Sequence, residues 1–336
     1  MIQNLQRLSA LTGISGEEMP IRDWLLSRLD SNCNVQVDAL GNLICFKKGK
    51  ETPPKRILLT THMDEVGFLL TGVTADGLFK FTPVGAIDER VVLGRAVRHC
   101  RTGLTGVIGT KAIHQQSPAE RDAAVSMDDM FIDFGASSKE EALQAVQLGD
   151  SVSFIGSCKL LGSRLLKGKA LDDRAGCAVL LRLLQSELPY DTYFAFTVQE
   201  KIGMRGAQTA AYTVHPDVAI TLNGSEAADI SGVPESKQLC ALGKGAVLTF
   251  MDKGAIYDRE LIQSAMTCAQ EHDIPYQIKS AVDGIDGAAL MQVSRGGVKM
   301  LSIGIPCRYL HSANPVLCPE DVESAYQLTE QMLEIL

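Results

Sequence analysis

Five short stretches carry side chains able to do chemistry together: His62 and Asp64 in RILLTTHMD, Asp172-Asp173 in KALDDRAG, Glu200 in FAFTVQEKIGMRGA, Asn223 just after DVAITL, and His311 in RYLHS. An imidazole with several carboxylates can ligate a divalent ion, and a carboxylate at a strand end can act as a general base. A metal-bound imidazole needs a partner on its second ring nitrogen, and Asp64 stands two residues after His62 for that task. Each feature also has an ordinary structural reading. A lone histidine at a strand end is commonly a satisfied core or surface residue, and Asp-Asp before a helix can be only an N-cap. Glu-Lys after a strand is usually a solvated pair. Lys201 is therefore the odd feature, because it sets a cation beside a carboxylate placed like a catalytic base.

The elements that must position these residues are legible. RILLTTHMD, TYFAFTVQ, DVAITL and VKMLSIGI are apolar without alternation, as expected of strands covered on both faces. Helical patterns fall between them: GCAVLLRLLQSEL after Asp172-Asp173, ELIQSAMTCAQEH, and a C-terminal helix starting at Pro319 with Val322, Tyr326 and Leu333 inward. Ser15-Gly16-Glu17-Glu18 reads as a capping box before a helix whose apolar residues are Ile21, Trp24, Leu25 and Leu29. NVQVDAL and NLICFKKG read as a hairpin about Gly41-Asn42.

The expected fold class is α/β, a mostly parallel sheet covered by helices. In such sheets ligands bind outside the carboxyl ends of the strands, where all five stretches fall. From about Leu69 to Arg164 the pattern changes to short alternating strands and turns, with helical character only in SSKEEALQAV. The expectation is an α/β catalytic domain over 1–67 and 165–336, with a small β-barrel inserted at 68–164 for dimerisation or assembly.

Composition narrows the function classes. A net charge of −8 with no Lys/Arg block argues against nucleic acid as a partner. Apolar runs fall short of the ~20 residues a membrane span needs, so no membrane role is expected. Nine scattered cysteines without a CxxC pair read as reduced thiols in a cytoplasmic protein.

The motifs HMDEVGF, ALDDRAG, TVQExxGxRGA and RYxHS, in that order, closely resemble the glutamyl and deblocking (tetrahedral) aminopeptidases. PVG at 83–85, FIDFGASSKEEA and LGKG extend the likeness over essentially the whole chain. The resemblance implies a zinc-exopeptidase-like fold, a peptide substrate and a homo-oligomer, from a dimer up to a hollow dodecamer. It also implies two divalent ions, zinc or cobalt, bridged by Asp172. His62 would hold one ion and His311 the other, with Glu200 as general base and Asp64 orienting His62.

The sequence departs from that pattern at two ligand positions. The second glutamate after the base is Lys201, and the aspartate expected after DVAITL is Asn223, leaving a weak ligand at best. HSxxE also becomes His311-Ser312-Ala313-Asn314-Pro315. The ligand charge thus falls from −3 to about zero, too little to hold two dications a few ångströms apart. At most one tightly bound ion is expected. The lysine ammonium could stand where an ion would, paired with Asp172 and Glu200. The expected function is that of an aminopeptidase-family hydrolase removing N-terminal residues from peptides with one ion, because fold and base are intact. Glu226 or Asp229 would serve as substitute ligands. The alternative is a catalytically silent member that binds or scaffolds. A glycosidase is disfavoured, because the motifs hold one catalytic acid and no second placed for glycosidic cleavage.

Overall fold

In the computed structural model, which describes residues 1–279, 291–294 and 296–336, the four apolar segments lie side by side as parallel strands. Thr192–Thr197 pairs with Ile57–His62, which pairs with Val218–Glu226, which pairs with Lys299–Arg308. All six residues of Ile57–His62 are buried, which is why the segment shows no alternation. The predicted hairpin, Cys33–Val37 with Leu43–Lys47, extends this sheet on the Thr192 side in antiparallel register. Beyond Lys299–Arg308 the sheet continues through Val316–Leu317 and the hairpin Leu165–Lys167 with Lys159–Leu161. Among the described residues the result is a mixed eleven-stranded sheet.

The helix Leu171–Leu184 is buried at nearly every position, Arg174 included. It packs on the sheet and is covered by the helices Ile2–Ala10 and Pro319–Ile335. The last of these has proline at its first turn, and buries Val322, Tyr326 and Leu333 as its pattern requires. The core uniting sheet and helices includes Leu58, Leu180, Phe194, Ile220 and Leu301.

Six strands between Gly67 and Phe154 close an antiparallel barrel, whose own core centres on Phe68, Phe79, Ile108, Ile132 and Phe154. Phe68 meets Phe81 and Phe154 edge-on, with ring centroids 4.9 and 5.1 Å away. The helical segment foreseen in this region is Lys139–Ala145.

The capping box at Ser15 is not formed. The helix Met19–Leu26 starts after Glu18 and has no side-chain cap. Ser15 Oγ instead donates to Asp64 Oδ2 at 2.6 Å, and Glu18 Oε1 accepts from Gly16 N at 2.9 Å. A buried carboxylate 49 residues away competes successfully for the hydroxyl that a cap would use.

Candidate active site

The carboxyl ends of the parallel strands bring His62, Asp64, Asp172, Glu200, Lys201 and His311 together. His62 closes its strand opposite Thr197 in the neighbouring one, so Glu200 follows three residues beyond that pair. Asp172 interrupts helical geometry at the start of its helix, and a cis peptide joins it to Asp173. His311 sits on a turn with a left-handed backbone, φ 57°, as do Ala170 and Gln199 beside Asp172 and Glu200. Non-glycine residues in that region cost energy, and here they flank the functional cluster.

Asp172 is the hub. Its Oδ1 accepts from Gly224 N at 3.0 Å and lies 3.3 Å from His62 Nε2. Its Oδ2 takes the Lys201 ammonium at 2.6 Å and faces His311 Nε2 at 3.7 Å. Gly224 is required for this approach, because a Cβ there would lie 2.7 Å from Asp172 Oδ1. The Lys201 ammonium is also 2.8 Å from Glu200 Oε2, out of line for a hydrogen bond, so charge holds that contact. It lies 3.4 Å from His62 Nε2.

His62 Nδ1 reaches the Asp64 backbone carbonyl at 3.1 Å and Asp64 Oδ1 at 3.5 Å. The Asp64 carboxylate does more than face the imidazole. Its Oδ1 accepts Glu200 N and its Oδ2 accepts Lys201 N, each at 3.0 Å.

Burial and these contacts set the protonation states. For Asp172, burial opposes ionisation, but the Lys201 ammonium and then His62 hold its carboxyl well below the ordinary range. For Lys201, burial opposes the charge, and Asp172 and Glu200 outweigh it, raising the ammonium's pKa. Burial likewise opposes charge on Asp64, yet His62, Ser15 and the Lys201 N–H keep it at about 2. For His62, burial and Lys201 lower the pKa, and Glu200, Asp172 and Asp64 outweigh them, leaving it above the ordinary imidazole value. His311 is lowered by burial and by Lys201. Asp173, outside this cluster's contacts, is pushed up to about 7 by burial, with Thr61 and Gly176 N as partners.

Asn223 is buried, and its Oδ1 accepts from Ser302 Oγ at 3.1 Å. Of the two substitute ligands considered, Asp229 is clamped by Arg308 at 2.6 and 2.7 Å, and Glu226 is exposed at the end of its strand. The narrow cleft over the cluster is lined by Glu65, Phe154, Asp172, Lys201, His311 and Ser312, so the barrel contributes a wall through Phe154. A larger groove along Arg259–Glu271 holds none of the converging groups.

Sequence reasoning passed over Ser15, Glu18, Gly224 and Ser302, each of which contacts the cluster or its backbone. It also passed over a buried neighbour: Glu65 receives Lys169 Nζ at 2.6 Å and Gly13 N at 3.0 Å, with Arg174 3.6 Å away. For Ser15 and Glu18 the available signal was ISGEE, whose helix-start pattern concealed their role.

A mostly parallel sheet, an inserted barrel and an imidazole–carboxylate cluster at the strand ends define an exopeptidase-type hydrolase fold. Residues 41–328 match the family described as M42 glutamyl aminopeptidase, and the chain belongs to that family. It is similar to the lysyl aminopeptidase of Pyrococcus furiosus, with 30% identity over 99% of this chain and 96% of that protein. A solved TET aminopeptidase from a Thaumarchaeota archaeon superposes with a TM-score of 0.92 at 33% identity, covering 99% and 96% of the two chains. The TET1 peptidase of Pyrococcus horikoshii, described as assembling into a tetrahedron or a large octahedral shell, superposes with a TM-score of 0.87 at 33% identity over 98% of each chain.

The family consists of metallopeptidases, so the donor set is set against the two ions that the sequence resemblance implies. The ammonium of Lys201 touches Asp172, Glu200 and His62, the groups that would surround a cation here. Asn223 brings no charge and has its oxygen on Ser302. The residues present do not fit a two-ion centre.

Proposed function

We propose that this chain is an M42-family peptide-binding protein in which Lys201 replaces the metal charge, leaving two-ion hydrolysis of peptide N-termini suppressed. The observation supporting this is the double ion pair of Lys201 with Asp172 and Glu200, 2.6 and 2.8 Å. The ammonium occupies the space beside the Glu200 carboxylate where a cation and its water would stand. It also lies 3.4 Å from His62 Nε2, the ring nitrogen that faces Asp172.

A second reading keeps aminopeptidase activity with one ion. It is favoured by His62 Nε2 and His311 Nε2, which lie 3.3 and 3.7 Å from the Asp172 carboxylate oxygens. In that case Glu200 acts as general base, Asp64 orients His62, and His62, Asp172 and His311 hold the ion, with Asn223 as a weak oxygen donor.

We also propose that the chain divides into 1–67 with 165–336 and an insert, 68–164, whose barrel ends at Phe154 and whose last strand, Lys159–Leu161, returns to the main sheet. The insert serves assembly into a homo-oligomer like those of the TET relatives. Nine free thiols suit a reducing, cytoplasmic setting. Among the described residues, no helix is long and apolar enough to cross a membrane.

The deciding experiment measures zinc, cobalt and manganese in freshly purified protein, together with hydrolysis of a panel of aminoacyl chromogenic substrates. The proposal expects less than one ion per chain and no turnover above buffer. One ion with measurable turnover selects the second reading, and two ions with full turnover overturns both.

A further inference from the structure

Lys201 and Glu200 leave the strand Thr192–Thr197 on a short turn, and the direction of that turn decides where both side chains point. Three consecutive backbone N–H groups in it are held by two carboxylates from elsewhere in the chain. Gln199 N donates to Glu18 Oε1 at 2.9 Å, Glu200 N to Asp64 Oδ1 at 3.0 Å, and Lys201 N to Asp64 Oδ2 at 3.0 Å. Gln199 has φ 56°, a left-handed backbone that a residue with a side chain adopts only when something imposes it.

Glu18 is built for that work. Its side chain is buried, and the same Oε1 also accepts Gly16 N at 2.9 Å. Ser15, in the same segment, donates to Asp64 Oδ2 at 2.6 Å and so ties the two carboxylates together. The segment is itself seated on the strand end: Ile14 bridges Glu65, Glu65 N donates to Gly13 O, and Gly13 N returns to Glu65 Oε1, both at 3.0 Å. A capping role does not account for Glu18, because it makes no side-chain cap of its helix.

We propose that Glu18 is a positioning residue that, with Asp64, fixes the turn at Gln199 and thereby the direction in which Glu200 and Lys201 enter the cleft. The proposal rests on the reading of Glu200 and Lys201 as the centre of the site, and it adds to that reading the group that aims them. Glu18 acts as an acceptor of two N–H bonds, so a neutral acceptor of the same length serves as well. Removing the acceptor frees Gln199 to leave its left-handed backbone, and Lys201 then swings out of its pairing with Asp172.

The test follows Lys201 directly and needs neither metal nor turnover. The folded full-length protein is treated with acetic anhydride, and acetylation of each lysine is timed by peptide mass spectrometry. In Glu18→Ala, Lys201 is expected to react at least ~10-fold faster than in the wild type, as local opening of a paired side chain requires. Lys47 and Lys169, buried on other contacts, are expected to keep their wild-type rates. Glu18→Gln should restore slow acetylation of Lys201.

An unchanged Lys201 rate in folded Glu18→Ala overturns the proposal, as does equal acceleration of Lys169, which would mean general loosening. Glu18→Gln behaving like Glu18→Ala also overturns it. Should Glu18→Ala fail to fold, Glu18→Asp, with its acceptor withdrawn by one methylene, must show the acceleration, and an unchanged rate there is fatal. Metal analysis of the wild type bears on the function reading alone, so the two can fail separately.

Discussion

Replacing Lys201 by glutamate should make the protein's stability depend on metal. The ammonium is buried, 2.6 Å from Asp172 Oδ2 and 2.8 Å from Glu200 Oε2. Two unit charges at about 4 Å and an effective dielectric near 20 interact by about 4 kcal/mol, so an ammonium opposes a dication at that distance by about 8 kcal/mol. That corresponds to between five and six decades of affinity, at roughly 1.4 kcal/mol per decade. The lysine can relieve part of this by swinging outward, so a gain of at least ~10³-fold in zinc affinity is the working expectation for Lys201→Glu. Without metal the variant gathers an additional carboxylate among Asp64, Asp172 and Glu200, and breaking a buried pair costs about 3–5 kcal/mol. Saturating zinc at about 1,000 times its dissociation constant returns about 4 kcal/mol. The assay is thermal unfolding with chelator and with zinc, alongside calorimetric titration. Wild type should unfold at one temperature in both conditions, and Lys201→Glu should rise with zinc and fall with chelator. A wild type that loses stability in chelator, or a variant blind to zinc, refutes the charge argument.

Gly224→Ala should misplace Asp172, since the added Cβ would meet its Cβ and Oδ1 at 2.7 Å. Faster acetylation of Lys201 would register the loss of its partner. Glu65→Gln should lower stability by about 3–5 kcal/mol in denaturant unfolding, because it leaves Lys169 and Arg174 buried opposite a neutral group. Burial pushes the Asp321 carboxyl up to about 6 from an ordinary value of 3.8. The folded state therefore holds the proton more tightly, and this group's stabilisation is present below about pH 4 and lost as pH rises through about 6. Asp321→Asn should remove up to ~1.4 kcal/mol per pH unit of falling stability in that window, and an unaltered pH slope would contradict the assignment.

The legible parts of this protein were those whose physics is local. Ile57–His62 and Val218–Glu226 show themselves as apolar runs because both faces are covered; His62 closes its strand as expected, whereas the second strand continues past Asn223 to Glu226. Pro319 and the inward Val322 and Tyr326 mark the last helix for the same reason. The barrel was visible as a change from buried runs to alternation. Long-range competition was not legible. Ser15 and Glu18 satisfy the local rule for a helix start, yet Asp64 takes the hydroxyl and Gln199 N takes the carboxylate. Asn223 could be read only as a poor ligand, because nothing in DVAITL predicts that Ser302, from the neighbouring strand, would donate to its oxygen.

Lys201 lies between these cases. Its identity announced that a cation had entered the site, and charge counting alone foretold the pairing with Asp172 and Glu200. The missing element was how such a lysine is kept from turning to solvent. The structure supplies it through the backbone: Asp64 holds the N–H groups of Glu200 and Lys201, and Glu18 holds that of Gln199. A buried ammonium paired with two carboxylates is stable only where its main chain is pinned, because leaving either charge uncompensated costs more than the pair gains. The chain therefore keeps the polar frame that would aim a catalytic base, and uses it to hold a cation in place.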